Sequence, residues 1–246
     1  MTAEALRHFY DTYYWPDNAT VSIIGDFEPE ASLALVREHF GRIPRAPHPI
    51  PPVWTREPVQ RGERRVTVRQ AGQLGLVMVA FKAPAGLEVD ADALDVLVTL
   101  LSHGRNSRLY RRLTDTGLTT MVVAANERHR DPGLFYVVAR LAPGKTHAEV
   151  EAVLLEELDR VAREGVTEEE VVRAREQLTA LEAYGRDGPF AIAAQLNEAI
   201  ALGDWKLYAT YLDRIGRVTP DDVQRVAQTY LIETARTVGW YVPQNP

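Results

Sequence analysis

The feature of this sequence that most restricts its fold is a supersecondary unit that occurs twice. Residues 2–24, TAEALRHFYDTYYWPDNATVSII, align without a gap on residues 219–241, TPDDVQRVAQTYLIETARTVGWY, at an offset of 217. Thr2, Thr12, Tyr13, Thr20 and Val21 match Thr219, Thr229, Tyr230, Thr237 and Val238, while Leu6, Phe9, Tyr14, Ile23 and Ile24 fall opposite apolar Val223, Val226, Leu231, Trp240 and Tyr241. Each copy reads as a Thr-capped helix, a short polar turn and a strand. Two readings are open. Any two helix–turn–strand units share this outline, or the chain carries a duplication. On the second reading the copy at 219–241 closes a complete domain and the copy at 2–24 closes a preceding one. Met1 is then expected to lie late within a longer tandem protein.

A second feature divides the chain. From Pro44 to Pro58 the sequence reads PRAPHPIPPVWTREP. Its prolines remove backbone donors and favour extended conformation. This predicts a linker over 44–61 between a C-terminal remnant of a first domain, 1–43, and a second domain, 62–246.

The second part alternates in period. Val66 and Val68 alternate with polar neighbours, and GLVMVAFKAP at 75–84 is the apolar run of a covered strand. Leu94, Leu97, Val98 and Leu101 form a helical stripe over 90–113, interrupted at His103-Gly104. Strands are expected at 120–127 and 133–141, joined by a turn at Asp131-Pro132-Gly133. Thr146 with Glu149, and Thr167 with Glu170, spell capping boxes ahead of apolar residues at helical spacing. Helices at 190–202 and from Pro220, then a strand at 237–242, complete the order. This order is not strictly alternating and predicts an α+β domain, a mainly antiparallel sheet with helices packed on one face.

Composition removes several functions. The 246 residues carry a net charge of −6 and contain no cysteine. Nothing builds a field for nucleic acid, and disulfides, thiolate metal sites and a cysteine nucleophile are excluded. No run approaches the ~18 apolar residues of a membrane helix. Ser102 and Ser107 have no His/Asp partner pattern, and no Walker or Rossmann glycine pattern follows a strand.

The pieces resemble a known family. Thr2…Leu6…Phe9-Tyr10…Tyr13-Tyr14…Pro16-Asp17-Asn18, then Ile24-Gly25-Asp26-Phe27, then Val36-Arg37…Phe40-Gly41…Ile43-Pro44 is similar to the C-terminal region of M16 peptidases, the pitrilysin and mitochondrial-processing-peptidase-like inverzincins. So is Leu100 to Tyr110, LLSHGRNSRLY, which resembles the family's G-x-S-S-R-L segment, and Thr167–Leu178, which resembles its T-x-E-E-L helix. The resemblance covers nearly the whole chain and rests on order and spacing, since no single motif is very specific.

What the resemblance implies is zinc-dependent peptide hydrolysis from an H-x-x-E-H helix, in which two His hold the metal and the Glu activates water. This chain lacks that motif. His8, His39, His48, His103, His129 and His147 are widely separated, and the nearest imitation, Leu35-Val36-Arg37-Glu38-His39, has Leu35 at the first ligand position. No cofactor is therefore expected in this chain, zinc belonging to the full-length family. Many members also carry an Arg and a Tyr in a segment that resembles a clamp on the substrate backbone. Thr114 and Thr120 stand at those positions here, and neither supplies a cationic fork or a phenol.

Arg105, Asn106 and Arg108, with Arg111 and Arg112, form a basic cluster. It either lines a substrate chamber or sits as cations near a helix C-terminus, paired to an acidic protein. Arg105, Asn106, Arg108, Thr114 and Thr120 are the candidate substrate or interface contacts, with no catalytic or metal residue. The expected function is the non-catalytic C-terminal half of an M16 zinc peptidase, inactive alone. It encloses peptide and offers a subunit interface while the zinc site lies upstream or on a partner. The alternatives are a free-standing M16-like scaffold or an unrelated enzyme on this fold. Expected partners are a peptide substrate through the larger protein, and a second copy or an M16 partner subunit. Nucleic acid is not expected.

Overall fold

Thr146 and Thr167 start helices in the way their capping boxes predict, and Thr219 forms a third box with Asp222. The computed structural model describes residues 2–52 and 57–244; Met1, residues 53–56 of the expected linker and residues 245–246 lie outside the described residues. In chain order the elements are α1 (Ala3–Tyr13), α2 (Pro29–Phe40), β1 (Arg64–Ala71), β2 (Leu76–Lys82), α3 (Val89–Ser102), β3 (Thr119–Asn126), β4 (Leu134–Leu141), α4 (His147–Glu164), α5 (Glu168–Gly185), α6 (Pro189–Leu202), α7 (Lys206–Ile215), α8 (Pro220–Tyr230) and β5 (Arg236–Gln244). Thr146, Thr167 and Thr219 each accept a backbone N–H three residues on, and Glu149, Glu170 and Asp222 return the bond, which removes orphan donors from α4, α5 and α8. Left-handed glycines, Gly188 (φ 85°) and Gly203 (φ 115°), bound α6 at its two ends.

The strands form one sheet in the order β1-β5-β2-β4-β3. The β1–β5 pair is parallel and the other three pairs are antiparallel. Val77, Val79 and Phe81 of β2 are buried while Met78 between them is exposed, so helices cover one face only. Leu94, Leu97 and Leu101 of α3 lie at the centre of the core with Leu154 and Leu158 of α4 and Val223 and Val226 of α8. Burial of each such side chain contributes roughly 1.5–3 kcal/mol. The α+β expectation holds, and the strands and helices expected after residue 62 are found close to their predicted positions, while α2 and α7 are helices that the sequence analysis does not predict.

The repeat is a structural one. α1 and α8 begin and end at positions separated by the same 217 residues, and so do the 3₁₀ turns Pro16–Asn18 and Glu233–Ala235. Thr2 and Thr219 are both N-caps. Thr12 Oγ1 donates to His8 O and Thr229 Oγ1 to Arg225 O, each at 2.7 Å. The copies then diverge. β5 sits between two strands, whereas residues 19–24 pair with none among the described residues, contrary to the strand expected there. A strand is defined by its ladder, and this segment has no neighbour to form one. It lies against α6, with Ser22 Oγ donating to Asn197 Oδ1 at 2.7 Å.

Candidate functional site

The basic segment is built by a broken helix. α3 ends at His103, Gly104 turns the chain at φ 78°, and helix resumes with a π-helical stretch at Tyr110–Thr114. Leu109 and Leu113, both fully buried, anchor that stretch in the core and point the arginines between them outward. Arg108 does not reach solvent freely. Its Nε and Nη2 grip the two carboxylate oxygens of Glu170 at 2.7 Å each, and Nη2 also donates to Gly165 O. Glu170 closes the cap of α5 as well, so one carboxylate ties the broken helix to the α5 N-terminus. Burial works to raise the Glu170 pKa, and the bonds from Arg108 and Thr167 outweigh it, holding the carboxyl below its usual range. Glu157 of α4 lies fully buried beside them, with Arg160 Nη2 at 2.6 Å and Arg108 and Arg112 farther off.

The candidate contacts therefore fall into separate environments. Arg105 and Asn106 are exposed on the turn. Arg108 is engaged in the protein's own ion pairs. Thr114 Oγ1 lies 3.1 Å from Thr119 Oγ1, and Thr120 Oγ1 at the start of β3 accepts from Arg140 Nε at 2.8 Å. The Thr pair thus spends its hydroxyls on neighbours within the sheet.

A larger polar assembly was not read from the sequence. Asp92 of α3, 1% exposed, accepts from Arg128 Nη2 and from Arg214 Nε, both at 2.7 Å. Asp95, one turn on, accepts from Arg128, from Tyr211 OH at 2.9 Å and from Asn126 Nδ2 at 2.7 Å. The Arg128 guanidinium also stands 5.2 Å from the Tyr211 ring centre. Burial and the Asp95 charge raise the Tyr211 pKa, keeping its hydroxyl a donor. This hub joins α3, the β3–β4 turn and α7. The available signal was a pair of aspartates inside an otherwise apolar core stripe.

On the opposite side, the helix-free face of the sheet is open and apolar. Val66, Val68, Met78 and Val123 are exposed there around Gly239. Metal ligands are not assembled anywhere: among the described residues no three His, Cys, Asp or Glu side chains are grouped to hold an ion. Glu38 and His39 lie on α2, none of whose residues is buried. The residues present do not fit a zinc site.

The family described as peptidase M16 inactive domain matches residues 1–178. An uncharacterized zinc protease of Streptomyces coelicolor is 29% identical over 242 residues, covering 94% of this chain and 51% of that protein. The chain spans about half the length of the curated relatives it matches. A protease from Helicobacter pylori has the same fold at a TM-score of 0.92 and 24% identity, over 99% of this chain and 60% of the other. The inactive peptidase domain of a Bordetella parapertussis protein superposes at 0.66 with 31% identity, covering 73% and 96%.

Proposed function

The chain belongs to the peptidase M16 family, as its inactive domain, and from that premise we propose that it forms the non-catalytic half of a zinc-dependent peptidase. Residues 62–246 are the second, non-catalytic domain, and residues 1–43 are the closing unit of a homologous first domain. The H-x-x-E-H zinc site belongs to that first domain or to a partner subunit. This half encloses and positions peptide while bond cleavage occurs elsewhere.

One observation carries this reading. Positions that form the core in one copy of the repeat are exposed in the other. Val223, Val226 and Ala227 are fully buried, whereas Leu6, Phe9 and Tyr10 are 57%, 52% and 58% exposed. Evolution of an apolar helix face is expected where a sheet covers it, and α8 has that sheet while α1 does not. The same correspondence supports an interface role. Ser22, which faces α6, corresponds to Gly239 on the open sheet face. A helix equivalent to α6, carried by the first domain, fits over Gly239, Val66 and Met78 as α6 fits over residues 20–23. Arg105 and Asn106 on the exposed turn, and Thr120 with Arg140 at the sheet edge, are the remaining contacts proposed for peptide or partner.

The test is the native protein from its source. The expected result is an intact mass well above 27.6 kDa, one zinc per chain, and peptide hydrolysis that a chelator abolishes. A native mass equal to 27.6 kDa would overturn the reading in favour of a free-standing scaffold.

A further inference from the structure

The sheet has two edges, and they differ. At β3 the end of α3 closes in, and Ser102 Oγ accepts the Ala124 N–H at 2.9 Å. At β1 nothing closes in. All of Arg64–Ala71 is exposed, including the residues that face the helix side of the sheet. β1 pairs with β5 on one flank only, so alternate residues turn their backbone N–H and C=O groups outward along the other. Among the described residues, the one side chain that bonds this backbone is Tyr241, whose hydroxyl donates to Gln70 O and Ala71 O at the C-terminal end. A bare edge of eight residues is longer than the roughly five or six of a typical strand, and it is a template for one more.

The side chains of β1 decide what can pair there. Arg65 turns to the helices, where Glu151 of α4 takes its guanidinium at 2.6 Å and Glu63 takes it as well. Arg64 and Arg69 make no ion pair among the described residues. Val66 and Val68 are exposed on the open face. A second copy pairing antiparallel about Thr67 would set Arg65 against Arg69 and bring three arginines from each copy to one seam. Like charges directly opposite destabilise a ladder, so the edge resists its own kind. The same charge selects a strand of opposite sign. We infer that β1 takes an extended acidic peptide as a sixth strand of the sheet. Paired antiparallel, that strand carries an acidic residue opposite Arg69, apolar residues opposite Val68 and Val66, and a second acidic residue opposite Arg64. Its pattern is acid–apolar–x–apolar–x–acid. Main-chain bonds supply the affinity, and the flanking charges supply the selectivity. The inference deepens the proposed function and rests on it for the peptide's role as substrate.

Fluorescence anisotropy tests this with the full-length protein, held in chelator so that no zinc site turns over. The labelled probe is Ser-Glu-Val-Thr-Val-Thr-Glu-Ser, blocked at both ends. Saturable binding with Kd on the order of 100 μM or tighter is expected. A probe with Lys in place of both Glu binds at least about tenfold more weakly. Of two Glu probes N-methylated on alternate sets of residues, the one blocked on the edge that faces β1 loses binding and the other keeps it. Arg64→Glu combined with Arg69→Glu reverses the preference, so that the Lys probe binds the better, while the unliganded unfolding midpoint stays within a few degrees of wild type. The probe comparisons hold whether or not that double variant folds. The inference is overturned by no saturable binding up to about 1 mM probe, by equal binding of the Glu and Lys probes, by binding that survives both N-methylations, or by an unchanged preference in the folded double variant. A dimer in sedimentation that the double variant disperses would instead give the edge to a second copy. Binding is read without turnover, so its failure leaves the zinc-peptidase reading intact. A native mass of 27.6 kDa would overturn that reading and leave the strand site standing.

Discussion

Phe9 and Val226 occupy one position in two copies of the same unit, and the structure buries one completely while leaving the other 52% exposed. Their helices match in length, in the N-cap threonine and in one side-chain bond, from Thr12 and Thr229 to the carbonyl four residues back, while α8 alone adds the Asp222 half of a capping box. The difference comes from what surrounds them. α8 packs on α3 and α4 above the sheet, and α1 has no sheet beneath it among the described residues.

This asymmetry has a mutational signature. Val226→Ala removes packed methyls and leaves a void, so it is expected to destabilise by about 1.5–3 kcal/mol. Phe9→Ala is expected to cost less than about 0.5 kcal/mol in residues 1–246 alone, but about 3–5 kcal/mol in a longer protein if, as proposed, a first domain covers it. Urea unfolding of both variants in both lengths checks this. An equal, small cost for Phe9→Ala in the longer protein would sink the assignment of residues 1–43.

The sheet face gives an independent reading of the same interface. Met78→Asp places a charge on a surface that is open in this chain, and its cost there is expected to be within about 0.5 kcal/mol. In the full-length protein the same charge would lie under a helix and is expected to cost several kcal/mol. Paired thermal melts of the two lengths decide it.

Asp92 is the hub's central acceptor. Asp92→Asn keeps the shape but removes the charge between Arg128 and Arg214, both largely buried. The expected loss is about 3–5 kcal/mol, the range for breaking a buried pair by removing one partner. Chemical denaturation measures it, and a loss under 1 kcal/mol would mean that the hub is dispensable.

Glu170 makes stability depend on acid. Its folded pKa lies below the ordinary value because the Arg108 and Thr167 bonds outweigh burial. A depressed carboxyl contributes stability that is full above the unfolded value of about 4.3 and is lost as pH falls through the folded value. Wild type should therefore lose stability below about pH 4.3 more steeply than Glu170→Gln, which cannot titrate. At pH 7 that variant should be less stable by about 1–3 kcal/mol, because charge-assisted bonds to Arg108 are gone. Denaturation midpoints across pH 2–7 supply both comparisons.

Much of the fold was legible because its signals are local. Thr146 with Glu149 and Thr167 with Glu170 announce helix starts from four consecutive residues, and the alternation in β2 follows from its one covered face. α7 escaped because Trp205 caps nothing with its side chain and no box precedes the helix. The i, i+4, i+8 spacing of Leu207, Tyr211 and Ile215 was the signal that could have found it. The hub escaped for a different reason. Asp92 meets Arg128 and Arg214 across 36 and 122 residues, and pairing at that range leaves no trace in local pattern.

By itself the sequence determined most of the elements of residues 62–246, the capping boxes of α4 and α5, the repeated unit and the lack of an H-x-x-E-H helix, since each depends on residues close in the chain or on residue identity alone. Tertiary structure decided which arginines are spent on the protein's own carboxylates, that residues 19–24 find no strand partner among the described residues while β5 finds two, and that Asp92 meets Arg128 and Arg214 in one hub. Those outcomes depend on which surfaces come together after folding. Burial and pairing belong to neighbours in space, and two helices of one repeated unit differ in fate when only one of them has a sheet to cover it.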